Sequence, residues 1–156
     1  MEEKVQEMLN KINEKFNDLE VRSVDLSLVR KVEGLANEIA NKSPLNKLYF
    51  KLAFLFFVKE KYLVVGELYI TIDKDKKTVE YEVGKIFRPK NSYPPKHLLF
   101  FVFDVKRYSS EVNEDVIATK EIFKEVFGAE GLKRDYIEHF NEYIFLLDAD
   151  VVYYFV

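Results

Sequence analysis

A chain of 156 residues, of which 48% are apolar and 33% are charged, is long enough for one packed domain and excludes a disordered chain. The absence of cysteine excludes disulfides and thiolate metal sites, and together with the absence of an apolar signal segment it leads us to expect an intracellular, cytoplasmic protein. The net charge of −3 is uneven, because residues 1–50, 51–107 and 108–156 carry net charges of −1, +5 and −7. This distribution favours an anionic partner for the middle segment, and the high Lys and Glu content is typical of thermophile proteins.

Two amphipathic helices are predicted near the N-terminus. Apolar residues recur at three- and four-residue spacing through residues 3–20 and again through residues 28–39. Ser43 followed by proline is typical of a helix start, and it predicts a third helix over residues 45–60. The apolar part of that segment is too short to cross a bilayer, so we expect no membrane partner.

A β-hairpin is predicted where the apolar period changes to two, at "YLVVGELYITI" and "TVEYEVGKI" on either side of the polar turn "DKDKK". Burial of the apolar positions of both strands fixes the pairing, because the side chains of a strand alternate between faces. Glu82 is then expected across from Tyr69, and Glu80 across from Thr71. Glu67 should share one face of the hairpin with these two glutamates.

The rest of the chain is predicted to complete an α+β fold. The proline-rich residues 88–96 predict a loop, residues 97–108 an apolar strand inside the sheet, and residues 113–127 a helix. One or two strands are expected in the final "YIFLLDADVVYYFV". We therefore expect a single domain with a helical extension over residues 1–44. The core over residues 45–156 should have the order helix, strand, strand, strand, helix, strand and a mixed, mainly antiparallel sheet.

The third predicted strand ends in Asp104 and Lys106, two residues apart and therefore on the same face of the strand. This D-x-K pair and the element order resemble the PD-(D/E)xK, or restriction-endonuclease-like, nucleases. The resemblance implies that Asp104 and an acid of the second strand, Glu82 or Glu80, bind a divalent metal, and that Lys106 positions or activates the attacking water. Mg²⁺ suits such a site because it prefers carboxylate oxygens and lowers the pKa of a bound water. The second strand has no "PD" dipeptide, so both glutamates stay candidates, and a simple ion pair at the strand end is the alternative for Asp104 and Lys106.

The size, composition and element order are also similar to the small DNA nucleases of archaeal filamentous viruses. That resemblance implies an archaeal or viral protein, in the host cytoplasm if viral, with Glu80 or Glu82 as the essential carboxylate. Lys51 or Lys106 would be its cationic partner. Lys51 also fits a structural role, in which its methylene groups pack and its charged tip reaches water.

Basic and aromatic residues alternate around the proline-rich segment, a pattern typical of contact with nucleic acid. The predicted function is a Mg²⁺-dependent nuclease acting on double-stranded DNA, with a homodimer as a candidate assembly. The alternative is a non-catalytic protein- or DNA-binding module, such as a viral or archaeal accessory protein. The predicted contacts to the DNA backbone are Lys85, Arg88, Lys96 and Arg107, with Tyr93 and Tyr108 among them.

Two further patterns have simpler explanations. Asp148 and Asp150 have the spacing of a phosphoryl-transfer pair, but the glycine-serine loop of nucleotidyltransferases is absent and a turn explains both residues. The two histidines, His97 and His139, do not have metal-ligand spacing.

Overall fold

The computed structural model describes residues 1–16, 21–23, 26–58, 62–87, 99–104, 107–108, 113–127, 143–147 and 154–155. Within these ranges the chain forms three α-helices and seven β-strands. In chain order they are α1 (Glu2–Lys15), β1 (Val21–Ser23), α2 (Leu26–Lys42), β2 (Lys47–Val58), β3 (Tyr62–Asp73), β4 (Thr78–Phe87), β5 (Leu99–Phe103), α3 (Glu114–Phe127), β6 (Tyr143–Leu147) and β7 (Tyr154–Phe155).

The fold is α+β, with a five-stranded sheet in the order β4-β3-β2-β5-β6. Every neighbouring pair in this sheet is antiparallel, as is the short pairing of β1 with β7. The sheet is therefore antiparallel throughout the described strands, where a mixed, mainly antiparallel sheet had been expected. β5 lies between β2 and β6, which confirms the internal position predicted from its apolar sequence. The predicted loop over residues 88–96 lies outside the described residues.

The prediction of a helix over residues 45–60 is wrong, because strand β2 occupies Lys47–Val58 of this segment. Ser43 does not begin a helix, because the element that follows it is a strand, although its hydroxyl accepts a hydrogen bond from the Leu45 backbone N–H at 3.0 Å. Pairing with strands on both sides outweighs this local signal. The burial period is two, as in a strand, because the buried residues alternate along the chain as Leu48, Phe50, Leu52 and Phe54. From β2 onward the described elements are therefore four strands, a helix and further strands.

The register predicted for the hairpin of β3 and β4 is confirmed. Tyr69 pairs with Glu82, and Thr71 pairs with Glu80. The register shifts between Gly66 and Leu68, so β4 has a bulge at this position. The three glutamates of the hairpin consequently share one face of the sheet.

The helices α1, α2 and α3 pack on one face of the sheet and share one apolar core with it. Phe123 of α3 stacks at 6.4 Å on Phe50 and lies 5.4 Å from Phe101, measured between ring centroids. α1 crosses β3 closely at Gly66, where an added Cβ would lie 2.8 Å from the Met8 sulfur. No helix in the described ranges is long and apolar enough to cross a membrane.

The opposite side of the sheet is called here the second face. Strand alternation and register place on it, among others, these residues of β2, β3 and β4 and the residue that follows β5: Lys47, Tyr49, Lys51, Glu67, Tyr69, Thr71, Asp73, Glu80, Glu82 and Asp104.

Lys74, in the turn between β3 and β4, ties this turn to the end of α2. Its ammonium donates hydrogen bonds to the backbone oxygens of Ala40 at 3.0 Å and Ser43 at 2.6 Å. A cation at this end of a helix interacts favourably with the carbonyls left without partners there. The buried Ser43 hydroxyl also bonds to Thr119, so the same junction reaches α3.

Replacement of Lys74 by methionine should lower the free energy of unfolding by about 1–3 kcal/mol, because two backbone carbonyls lose a charged donor. Lys76→Met is the matched control, since Lys76 is an exposed lysine of the same turn, and its effect should stay within about 0.5 kcal/mol. Denaturant unfolding of both variants measures the difference. Equal effects of the two substitutions would contradict the role given to Lys74.

Candidate nucleic-acid interface

Asp104 extends the pairing of β5 with β2 by one residue beyond the strand. Its backbone N–H donates to the Tyr49 carbonyl at 2.8 Å, so its side chain lies on the second face beside Tyr49. Asp104 is only 8% exposed. The carboxylate has a cationic partner, because Arg107 Nε lies 3.3 Å from Asp104 Oδ2. Lys106, the other member of the D-x-K pair, lies outside the described residues.

Arg107 also lies against two aromatic rings. Its guanidinium carbon is 4.8 Å from the ring centroid of Tyr69 and 5.8 Å from that of Tyr49, within the range of a cation–π interaction. The Arg107 side chain nevertheless stays 40% exposed. We call Arg107, Asp104, Tyr49 and Tyr69 the Arg107 cluster. It joins residues of β2 and β3 to the segment that follows β5.

The ring of Tyr69 is itself held in place. Its hydroxyl donates a hydrogen bond of 3.1 Å to Glu67 Oε2, and Glu67 is 9% exposed. The ring extends over β4 at Gly84, where an added Cβ would lie 2.6 Å from Tyr69 Cζ. Only glycine leaves room for the ring at this position, so the orientation of Tyr69 depends on the sequence of the neighbouring strand.

Tyr108 holds Tyr49 from the other side. The Tyr108 hydroxyl accepts a hydrogen bond from the Tyr49 backbone N–H at 3.2 Å and donates one to the Lys47 carbonyl at 3.2 Å. The two tyrosine rings meet edge to face, with their centroids 5.4 Å apart. Tyr108 therefore fixes the segment after β5 to the start of β2, which positions Arg107 next to it.

Burial and, after it, the adjacent Glu67 carboxylate, which accepts the hydrogen bond of Tyr69, raise the pKa of Tyr69 to about 12. The Arg107 guanidinium acts in the opposite direction. Burial also raises the pKa of Tyr108, and the charge of Asp104 contributes to that increase. Both tyrosines are therefore neutral at neutral pH, so Tyr69 keeps the proton that it donates to Glu67.

Charges on the second face are divided by strand. β2 carries Lys47, which is exposed, and Lys51, which is half-buried, and Arg107 lies over the same strand. β4 is the edge strand of the described sheet and carries Glu80 and Glu82, both exposed. The face thus has cations along β2 and carboxylates along the edge strand β4. On β3, between them, lie Asp73, which pairs with Lys47, and the nearly buried Glu67.

The predicted metal ligands Glu82 and Asp104 are not brought together. β4 carries Glu82, Asp104 follows β5, and β3 and β2 lie between them. Three strand spacings separate their backbones by about 14 Å. Two oxygens on one Mg²⁺ lie within about 4 Å of each other, because each metal–oxygen distance is near 2.1 Å. Within the described ranges, no group of three or more His, Cys, Asp or Glu side chains could hold a metal ion.

The other predicted site residues have different outcomes. Lys85 is an exposed residue of β4, and Arg107 is the centre of the cluster described above. Besides Lys106, seven residues singled out from the sequence lie outside the described residues: Arg88, Tyr93, Lys96, His97, His139, Asp148 and Asp150.

Sequence reasoning missed Tyr49, Tyr69 and Glu67 as site residues. Tyr49 was missed because its segment was predicted as a helix, in which it would not have aligned with Asp104. The signal was available, because apolar residues at every second position from Leu48 to Phe54 alternate with polar ones from Lys47 to Lys51.

Comparisons of the chain with models of protein families, with curated proteins and with solved structures give no match. Both nuclease resemblances and the predicted Mg²⁺ stay predictions.

Tyr69→Phe should reduce the loss of stability at alkaline pH. The unfolded chain releases the tyrosine proton near pH 10 and the folded chain near pH 12, so the free energy of unfolding falls as the pH rises between about 10 and 12. Phenylalanine removes this contribution. The free energy of unfolding of the variant, measured by denaturant unfolding, should therefore fall less steeply over that pH range. Parallel declines for the two proteins would contradict the raised pKa of Tyr69.

Proposed function

We propose that this protein binds DNA through the second face of its sheet, with Arg107 as a contact to a backbone phosphate. The observation that carries this proposal is the state of Arg107. Its guanidinium is held by a carboxylate and two tyrosine rings, while 40% of the side chain stays exposed.

A guanidinium held in this way suits phosphate. It has five N–H donors in a planar fork, and the ion pair with Asp104 is made through Nε. An arginine binds phosphate through two parallel hydrogen bonds when its fork faces the oxygens. Because the side chain is already ordered, it loses less conformational entropy when a phosphate binds.

Neighbouring cations extend the contact along β2. Lys47 is exposed and lies 5.8 Å from the Tyr49 ring centroid. Lys51 follows four residues later on the same face, about 13 Å further along the strand. Arg107 lies between the two lysines, against Tyr49 of β2 and closer to Tyr69 of β3, so the three cations form a row along β2 and its β3 side. A row of this kind is complementary to a nucleic-acid backbone that runs along β2.

Replacement of Arg107 by alanine should weaken binding of a fluorescein-labelled single-stranded oligodeoxynucleotide by about tenfold, equal to ~1.4 kcal/mol. The slope of log affinity against log salt should fall by about 0.7, because one phosphate contact is lost. Arg107→Lys should give an intermediate loss, since it keeps the charge and loses the planar fork. Fluorescence anisotropy at several salt concentrations measures all of these quantities.

Lys31→Ala is the matched control, because it removes an exposed cation from α2 on the other side of the sheet. It should leave the affinity within about twofold. Circular dichroism and thermal unfolding verify that each variant is folded. Absence of saturable binding by the wild type at low salt, both to this oligodeoxynucleotide and to its duplex with the complementary strand, would overturn the proposal. Equal losses in Arg107→Ala and Lys31→Ala would also overturn it.

Metal-dependent hydrolysis of DNA is a second proposal, supported by the position of the Asp104 carboxylate beside the proposed phosphate contact. The same mixtures test it when Mg²⁺ is added and the products are separated on a denaturing gel. Hydrolysis would be supported if the wild type produced shortened DNA and the Asp104→Asn variant produced none. Intact DNA in every mixture would contradict it and leave a binding protein.

A further inference from the structure

The arrangement of charge on the second face bears on which form of DNA can bind there, provided that the DNA binding proposed above is correct. Glu80 and Glu82 are exposed on β4, two strand spacings from the cations of β2, which is about 10 Å. Register places Glu82 in line with Tyr69 and Glu80 in line with Thr71, so both carboxylates lie on the face that carries the cations. In the part of the chain that the structure describes, neither carboxylate forms an ion pair.

A DNA duplex carries two rows of phosphates, which border grooves about 6 and 12 Å wide. When one row lies on the cations of β2, the other row is separated from it by a distance similar to that between β2 and β4. The second row would then lie against Glu80 and Glu82. Like charges about 4 Å apart repel by about 1 kcal/mol each even in water.

A single strand avoids this repulsion, because one backbone can follow β2 without reaching β4. Its bases are also unpaired, so they can stack on planar side chains such as an arginine guanidinium or a tyrosine ring. The Arg107 cluster offers these groups beside the row of cations.

We propose that Glu80 and Glu82 make the second face selective for single-stranded DNA by repelling the second backbone of a duplex. The two glutamates act as a specificity element, and they contribute nothing to the affinity for a single strand. Lys85, the next charged residue of β4, is a cation and lies at the bulge. The part of this edge that repels phosphate is therefore the segment from Glu80 to Glu82.

The test is the affinity of the double variant Glu80→Gln/Glu82→Gln for two probes, a labelled single-stranded oligodeoxynucleotide and its duplex with the complementary strand. The wild type should prefer the single strand by about tenfold or more, as expected for two repelled charges. The double variant should bind the duplex about tenfold more tightly, with the single-strand affinity changed by less than about twofold.

The matched control is Glu3→Gln/Glu38→Gln, which removes two exposed carboxylates from α1 and α2 and changes the net charge equally. An equal gain of duplex binding in this control would overturn the inference, because the effect would then come from net charge. The inference would also be overturned if the wild type bound the single strand and the duplex with equal affinity and the double variant bound the duplex no more tightly. DNA binding itself would stand in that case. Failure of the wild type to bind either probe would overturn the proposed function itself.

Discussion

The period-two burial of β2 is the constraint on which the second face depends. Phe50 and its apolar neighbours on the strand face the helices, and each buried side chain of this kind stabilises the fold by about 1.5–3 kcal/mol. A slip of one residue would expose all of them, so the register is firmly set. Tyr49 and Lys51 are thereby held on the opposite face. Since β2 pairs with β3 on one side and β5 on the other, it also sets the position of Tyr69 and Asp104.

Arg107 is positioned by several weak interactions from different parts of the chain. A partly exposed ion pair contributes about 0–1 kcal/mol, and a cation–π contact at an exposed site about 0.5–1 kcal/mol. These contacts add little to the stability of the fold. Their combined effect is to restrict the orientation of the guanidinium, which matters for recognition of a planar or bidentate partner. The hydrogen bond of Tyr69 to Glu67 and the close approach of its ring to Gly84 serve the same orientation.

The hairpin could be predicted from the sequence, including its register, because both strands alternate clearly and a short polar turn joins them. β2 was predicted wrongly, since Ser43 and Pro44 have the local pattern of a helix start. The alternation from Leu48 to Phe54 was a competing signal for a strand, and pairing with β3 and β5 decides between the two. Asp104 and Arg107 were recognised as candidates, but the expected partner of Asp104 was Lys106. The contacts of Arg107 with Tyr49 and Tyr69 depend on the strand order, which brings residues distant in sequence together and cannot be derived from local patterns.

The most direct test of DNA binding by the second face is a map of amide chemical-shift changes in the ¹⁵N-labelled protein as an unlabelled single-stranded oligodeoxynucleotide is added. DNA binding by this face should give the largest changes on β2 and β3, around Tyr49, Lys51 and Tyr69, and at Arg107. The amides of α1, α2 and α3 should change little, because these helices pack on the other face of the sheet. Changes centred on the helices, or no changes at low salt, would show that the second face does not bind DNA.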